Sequence, residues 1–133
     1  MRDLTTLKTW YESLSLENLN QIDNFYTENC FFKDPFHQLN TRVALTELYV
    51  NMFKKYPDAK FIITNQINDQ FESVLIWDFY FSGKNKIHGT SVLKFNAEGK
   101  ISSHIDYWDT TEEIWLKVPI IGQMIKIFYK LAF

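Results

Sequence analysis

Two short phrases hold the side chains best suited to chemistry: "HIDYWD", residues His104 to Asp109, and "KDPF" around Asp34. Alternation along a strand puts His104, Asp106 and Trp108 on one face and Ile105, Tyr107 and Asp109 on the other. At that spacing the imidazole of His104 and the carboxylate of Asp106 stand about 6.5 Å apart along the strand, close enough to share a bound molecule, with Trp108 as a flat wall. Such a pair can accept, hold and return a proton. Asp34 precedes Pro35, which biases it toward an extended conformation and stops the strand, so Asp34 stands at a strand end. Each residue also has an ordinary structural reading. His104 can pair with Asp106 only to satisfy a buried polar group, Asp34 can accept hydrogen bonds from nearby amides, and Asp109, just before "TTEEI", is suited to cap a helix.

The elements that must position these residues follow from hydrophobic period. Leu4, Leu7, Trp10, Tyr11 and Leu14 keep helical spacing, and Leu19, Ile22, Phe25 and Tyr26 suggest a second short helix. "CFFKDPF" reads as a brief strand, and Val43 to Phe53 restores the helical period until Pro57. After Lys60 the period becomes two. "KFIITNQIN", "FESVLIWDFYF", "KIHGTSVLKF" and "KISSHIDYWD", separated by "NDQ", "SGKN" and "NAEG", predict an antiparallel meander of four strands. In the second of these, both faces are apolar, which implies a sheet covered on both sides, by helices on one and by a second subunit on the other.

With 133 residues, 46% of them hydrophobic and 17% aromatic, the chain suits a single domain over residues 1–133 whose core can include an aromatic-lined cavity. A net charge of −2 provides no basic field for a phosphate backbone, so nucleic acid is not an expected partner. Cys30 is the only cysteine and reads as a small buried apolar residue. His37, His88 and His104 lack zinc-ligand spacing, and there is no nucleophile elbow, phosphate-binding glycine loop or dinucleotide fingerprint. No metal and no cofactor are therefore expected. The start lacks a secretory signal and no run is long enough to span a bilayer, which points to a soluble, cytoplasmic protein. The tail from residue 118 to 133, "VPIIGQMIKIFYKLAF", is apolar with Lys126 and Lys130 four apart. Its composition fits a membrane surface, the pocket mouth or a partner subunit, with burial against protein the preferred outcome.

The order of elements, together with "FYTENCFFKDPF" and "FNAEGKISSHIDYWD", resembles the nuclear transport factor 2-like superfamily over roughly residues 4 to 117, most closely its SnoaL-like and ketosteroid-isomerase-like branches. The resemblance implies an α+β, cone-shaped fold, with N-terminal helices packed in a curved, mainly antiparallel sheet around an apolar pocket, and pairing as a homodimer through the outer sheet face. It also implies a catalytic set of Asp34, at the position of the isomerases' proton-shuttling aspartate, with His104 and Asp106. Trp10, Phe36, Ser91 and Trp108 would line the substrate space. On an ungapped reading, Trp10 replaces the isomerase oxyanion-hole tyrosine and Ser91 its buried protonated aspartate, and neither is a comparable donor. These departures lead away from steroid isomerisation itself and toward polyketide cyclases and epoxide hydrolases of the same fold. The expected partner is a small apolar or aromatic molecule. Three readings follow: a cofactor-independent proton-transfer enzyme, a noncatalytic carrier using the same cavity, and an interaction module docking through its tail.

Overall fold

The computed structural model describes residues 2–133, with all of their side chains but that of Leu116. Helix α1 (Thr5–Glu12) buries Leu7, Trp10 and Tyr11, the i, i+3, i+4 stripe expected of an amphipathic helix. Its start is held by Asp3, whose carboxylate accepts from the Thr5 amide at 2.9 Å and the Thr5 hydroxyl at 2.6 Å. The run after it forms a 3₁₀ turn (Leu19–Asn24) rather than an α-helix, and Tyr26 already belongs to strand β1 (Tyr26–Lys33). The physical reason is pairing: the Ile101 amide donates to the Phe25 carbonyl at 2.7 Å, drawing the chain into the sheet directly after the turn. Strand β2 (Gln38–Leu39) folds back on β1. Helix α2 (Arg42–Lys55) is capped by the Thr41 hydroxyl, buries Leu45, Tyr49 and Phe53 along one stripe, and ends with Lys54 and Lys55 on its negative pole.

Strands β3 (Lys60–Asn68), β4 (Glu72–Phe81), β5 (Asn85–Phe95) and β6 (Ile101–Tyr107) form the expected antiparallel meander. Positive φ angles at Gly83 and Gly99 let two of its turns close tightly. Local periodicity could not reveal that β1 joins the meander in parallel, beside β6, making a six-stranded sheet of order β2-β1-β6-β5-β4-β3. Register shifts in β1, β3 and β5 bend the strands, and the resulting curved, open sheet packs β3 against α1 and β1 against α2. The inward row of β4, Ser73, Leu75 and Trp77, is buried, while its outward row, Val74, Ile76 and Asp78, is half-buried. Cys30 lies fully inside, and burial pushes its thiol pKa up.

Beyond the sheet, Asp109 caps the short helix α3 (Thr110–Glu113) by accepting from the amides of Thr111 and Glu112, its expected role. A 3₁₀ turn (Trp115–Lys117) leads to helix α4 (Pro119–Ala132). The preferred expectation of burial for this tail does not hold within the chain: Leu131 is 83% and Phe133 99% exposed.

Gly89 sits opposite Trp77 in the β4–β5 register, and a Cβ added there would come within 2.3 Å of the indole ring. Gly89→Ala is expected to force Trp77 off its position and to destabilise the protein by about 1–3 kcal/mol, read by urea unfolding.

Candidate functional site

The inward ends of β6, β5 and β4 bring one polar chain into the aromatic core. His104, 3% exposed, lies opposite Leu93, while Asp106 lies opposite Ser91, which in turn lies opposite Leu75. One imidazole nitrogen of His104, Nε2, is 2.6 Å from Asp106 Oδ1 and 3.2 Å from Ser91 Oγ. The other, Nδ1, is 2.7 Å from the hydroxyl of Tyr26, which forms a very short hydrogen bond with the hydroxyl of Tyr11. Ser91 donates to Asp106 Oδ1 at 2.5 Å and accepts from Trp77 Nε1 at 2.8 Å.

One assignment of protons satisfies the whole chain. Tyr11 donates to Tyr26, Tyr26 donates to Nδ1, and the Nε2–H of His104 donates to Asp106. Burial supports this by raising the pKa values of Tyr11, Tyr26 and Tyr49, so that all three hydroxyls stay protonated at neutral pH. The arrangement also excludes Ser91 as a nucleophile. In a nucleophilic triad the imidazole bonds serine through one nitrogen and the acid through the other, whereas here both crowd Nε2 and Tyr26 occupies Nδ1.

Three cavities meet this chain. A cleft of about 20 Å³, the room of one water molecule, is bordered by Tyr11, Tyr49, Trp77, Ser91, His104 and Asp106. A cavity of about 410 Å³, inside the range of small-ligand pockets, is walled by Tyr49, Phe61, Trp77 and Trp108 together with Asp34 and Asp106. A third, of about 510 Å³, shares Asp34, Asp106 and Trp108 with it. Among the described residues, Asp106 is the one that borders all three. Its Oδ1 carries both hydrogen bonds, and among the described residues none engages Oδ2.

Asp34 reaches the same space by a different route. Parallel pairing sets Lys33 opposite Ile105, so Asp34 and Asp106 follow at the ends of adjacent strands. Asp34 Oδ1, however, accepts from the amides of Phe36 and His37 at 2.8 and 2.6 Å, and His37 Nδ1 lies 2.9 and 3.0 Å from its two oxygens. The same i+2, i+3 amide pattern recurs at Asp69 and Asp109, which build a turn and a helix cap. Asp34 thus shapes the turn that carries Phe36, and Phe36 meets Trp108 edge to face with ring centroids 5.5 Å apart.

Phe36, Trp108, Ser91, His104, Asp106 and Asp34 all border these cavities. Trp10 does not. It is 3% exposed, stacks on Phe25 and donates its Nε1–H to the Asn18 carbonyl at 3.1 Å. Its neighbour Tyr11, rather than Trp10, turns toward the cleft. Sequence reasoning also missed Tyr26, Tyr49, Trp77 and His37. The first was lost to a helical assignment, whereas the i, i+3 spacing of Asp34 and His37 was a readable turn signal. Among the described residues no cluster of three or more His, Cys, Asp or Glu side chains could hold a metal.

A family model of the SnoaL-like domain matches residues 7–104, from α1 through the buried histidine. The chain belongs to the SnoaL-like family. No curated protein gives a significant match. Among solved structures, a candidate isomerase of the SnoaL-like family from Agrobacterium tumefaciens superposes with a TM-score of 0.68 at 19% identity, covering 80% of this chain and 96% of that one. A candidate polyketide cyclase from Sinorhizobium meliloti gives 0.67 at 10% identity, covering 80% and 95%. A protein of ketosteroid isomerase-like fold from Catenulispora acidiphila, in complex with trimethylamine, gives 0.69 at 12%, covering 85% and 92%. At these identities the likeness is one of fold. The expected α+β cone is thereby established for this SnoaL-like protein.

Two outcomes are expected of the site's stability. Asp34→Asn keeps an oxygen for the turn amides and leaves the melting temperature nearly unchanged, whereas Asp34→Ala loses both bonds and costs about 1–2 kcal/mol in denaturant unfolding. In alkali, the folded state retains protons on Tyr11, Tyr26 and Tyr49 that the unfolded chain releases near the ordinary tyrosine value of 10.0. Their contribution to stability is therefore complete below that pH and falls as the pH rises beyond it. Tyrosinate absorbance from these three should emerge together with unfolding rather than ahead of it.

Proposed function

We propose that this SnoaL-like protein is a cofactor-independent enzyme that moves a proton on a small, largely apolar substrate, with isomerisation, cyclisation or hydration as the outcome. The observation that carries this reading is the position of Asp106. Among the described residues it is the one common to the water-sized cleft and both larger cavities, with one carboxylate oxygen held and the other engaged by none of them.

In this mechanism the substrate lies flat among Trp77, Phe61 and Trp108, with a C–H beside a carbonyl turned toward Asp106 Oδ2. Asp106 takes the proton, and the electron pair of the broken C–H bond moves onto the carbonyl oxygen. Burial keeps the Tyr49 hydroxyl protonated, so this wall supplies a neutral donor near the developing charge. Return of the proton to another carbon gives isomerisation, and attack of the enolate carbon on a second carbonyl gives cyclisation. His104 and Ser91 act as positioning residues, holding Oδ1 so that the carboxylate keeps one orientation. Asp34 and His37 form a second titratable pair on the wall of the 410 Å³ cavity.

The order of the two carboxylates thus reverses the expectation from sequence, where Asp34 led. Geometry favours Asp106, because both Asp34 oxygens are engaged within its own turn. Exchange of α-protons for deuterium, followed by NMR across a panel of cyclic enones and aromatic polyketides, tests this order. Wild type should exchange at least one class. Asp106→Asn should slow it about a hundred- to ten-thousandfold, the usual contribution of a general base, with binding retained. Asp34→Asn should cost far less. Full activity in Asp106→Asn would remove Asp106 from the mechanism, and no exchange with any bound compound would overturn the enzymatic reading.

A further inference from the structure

Helix α4 has no counterpart in the mechanism, and its surface is unlike the rest of the molecule. Among the other elements it packs substantially only against the 3₁₀ turn Trp115–Lys117, through a face that includes the buried Gly122. Ile120, Met124, Ile127, Phe128 and Leu131 stand exposed along one broad stripe at helical spacing. Gln123, Lys126 and Lys130 share one edge that flanks the stripe, since residues three and four apart lie on one face. From Ile114 to Phe133 the side-chain charges are Lys117, Lys126 and Lys130, with no Asp or Glu, in a chain whose net charge is −2. Helix α4 thus carries two lysines and no acid beside a broad exposed apolar stripe.

We infer that α4 is an in-plane anchor that lays its apolar stripe into a membrane surface bearing anionic headgroups. Three features of the helix select this occupant. At 14 residues it is about 21 Å long, suited to lying in an interface, and no helix among the described residues is long and apolar enough to cross a bilayer. Phe128, Tyr129 and Phe133 give it the aromatic content of interfacial segments, and its lysines complement anionic lipid. A second copy of the chain offers a poorer match. On the strands β4 and β5, Asp78 is already paired with Lys86 and His88, and Glu72 with Lys94, which leaves no free acidic row for the helix lysines.

Flotation of the full-length protein with vesicles tests the anchor. Wild type should float with vesicles of equal parts phosphatidylcholine and phosphatidylglycerol and remain behind with phosphatidylcholine alone. Ile127→Glu with Phe128→Glu should lower partitioning by at least about a hundredfold, because two buried apolar side chains are replaced by charges. Lys126→Gln with Lys130→Gln should lower it by about 25-fold, roughly fivefold per lysine, and weaken its dependence on salt. Because α4 packs away from the sheet, both variants should keep the wild-type melting temperature, which separates lost anchoring from lost folding. The proposal fails if wild type does not bind the mixed vesicles, or if the glutamate variant binds equally well. It also fails if wild type ignores lipid and sediments as a dimer that the glutamate variant breaks, which would assign the stripe to a second copy.

Discussion

A buried polar group must find a partner or lose the free energy of its hydration, and the polar network under the cavities of this protein answers that demand. Five side chains, Tyr11, Tyr26, His104, Ser91 and Trp77, place hydroxyl and ring nitrogen groups in a largely apolar core. None could be there alone. Joined end to end they satisfy one another, and the chain ends at Asp106, where the core opens. This couples folding to the site, since the bonds that make the core tolerable also aim the carboxylate. Removing any member would leave its neighbours unpaired in low dielectric, a cost beyond that of one ordinary hydrogen bond.

The parallel pairing of β1 with β6 is the second constraint. It sets the ends of two strands from opposite parts of the chain side by side and thereby brings two carboxylates to one cavity wall. The curvature introduced by register shifts opens space above them, and Phe36 and Trp108 border it with aromatic surface. Asp34 and Asp106 nevertheless differ in kind. The first is engaged by a turn of its own making, and the second is held by a network that reaches across the core.

Helix α4 stands outside this scheme. Its apolar side chains contribute little to the core that the sheet and the first two helices complete. A SnoaL-like domain with such an appendage would bring its cavity to the surface where apolar substrates concentrate, which joins the two proposals without making either depend on the other.

Much was decided by sequence alone wherever the controlling forces are local. The period-two runs and polar turns after Lys60 specified the meander, Asp109 announced its helix cap, and alternation put His104 and Asp106 on a shared face. Tertiary structure decided whatever depends on contacts between distant residues. The helical spacing through Tyr26 yielded to pairing with β6, because backbone bonds to a strand some 75 positions away outweigh a marginal helical preference. Trp10 and Tyr11 are adjacent in sequence and equally aromatic, and only the packing of α1 decided which would serve the core and which the cleft. The pairing of Asp34 with His37 is a local turn contact, whereas the meeting of Asp34 with Asp106 on one cavity wall was decided only by the parallel pairing of β1 with β6, strands far apart in sequence.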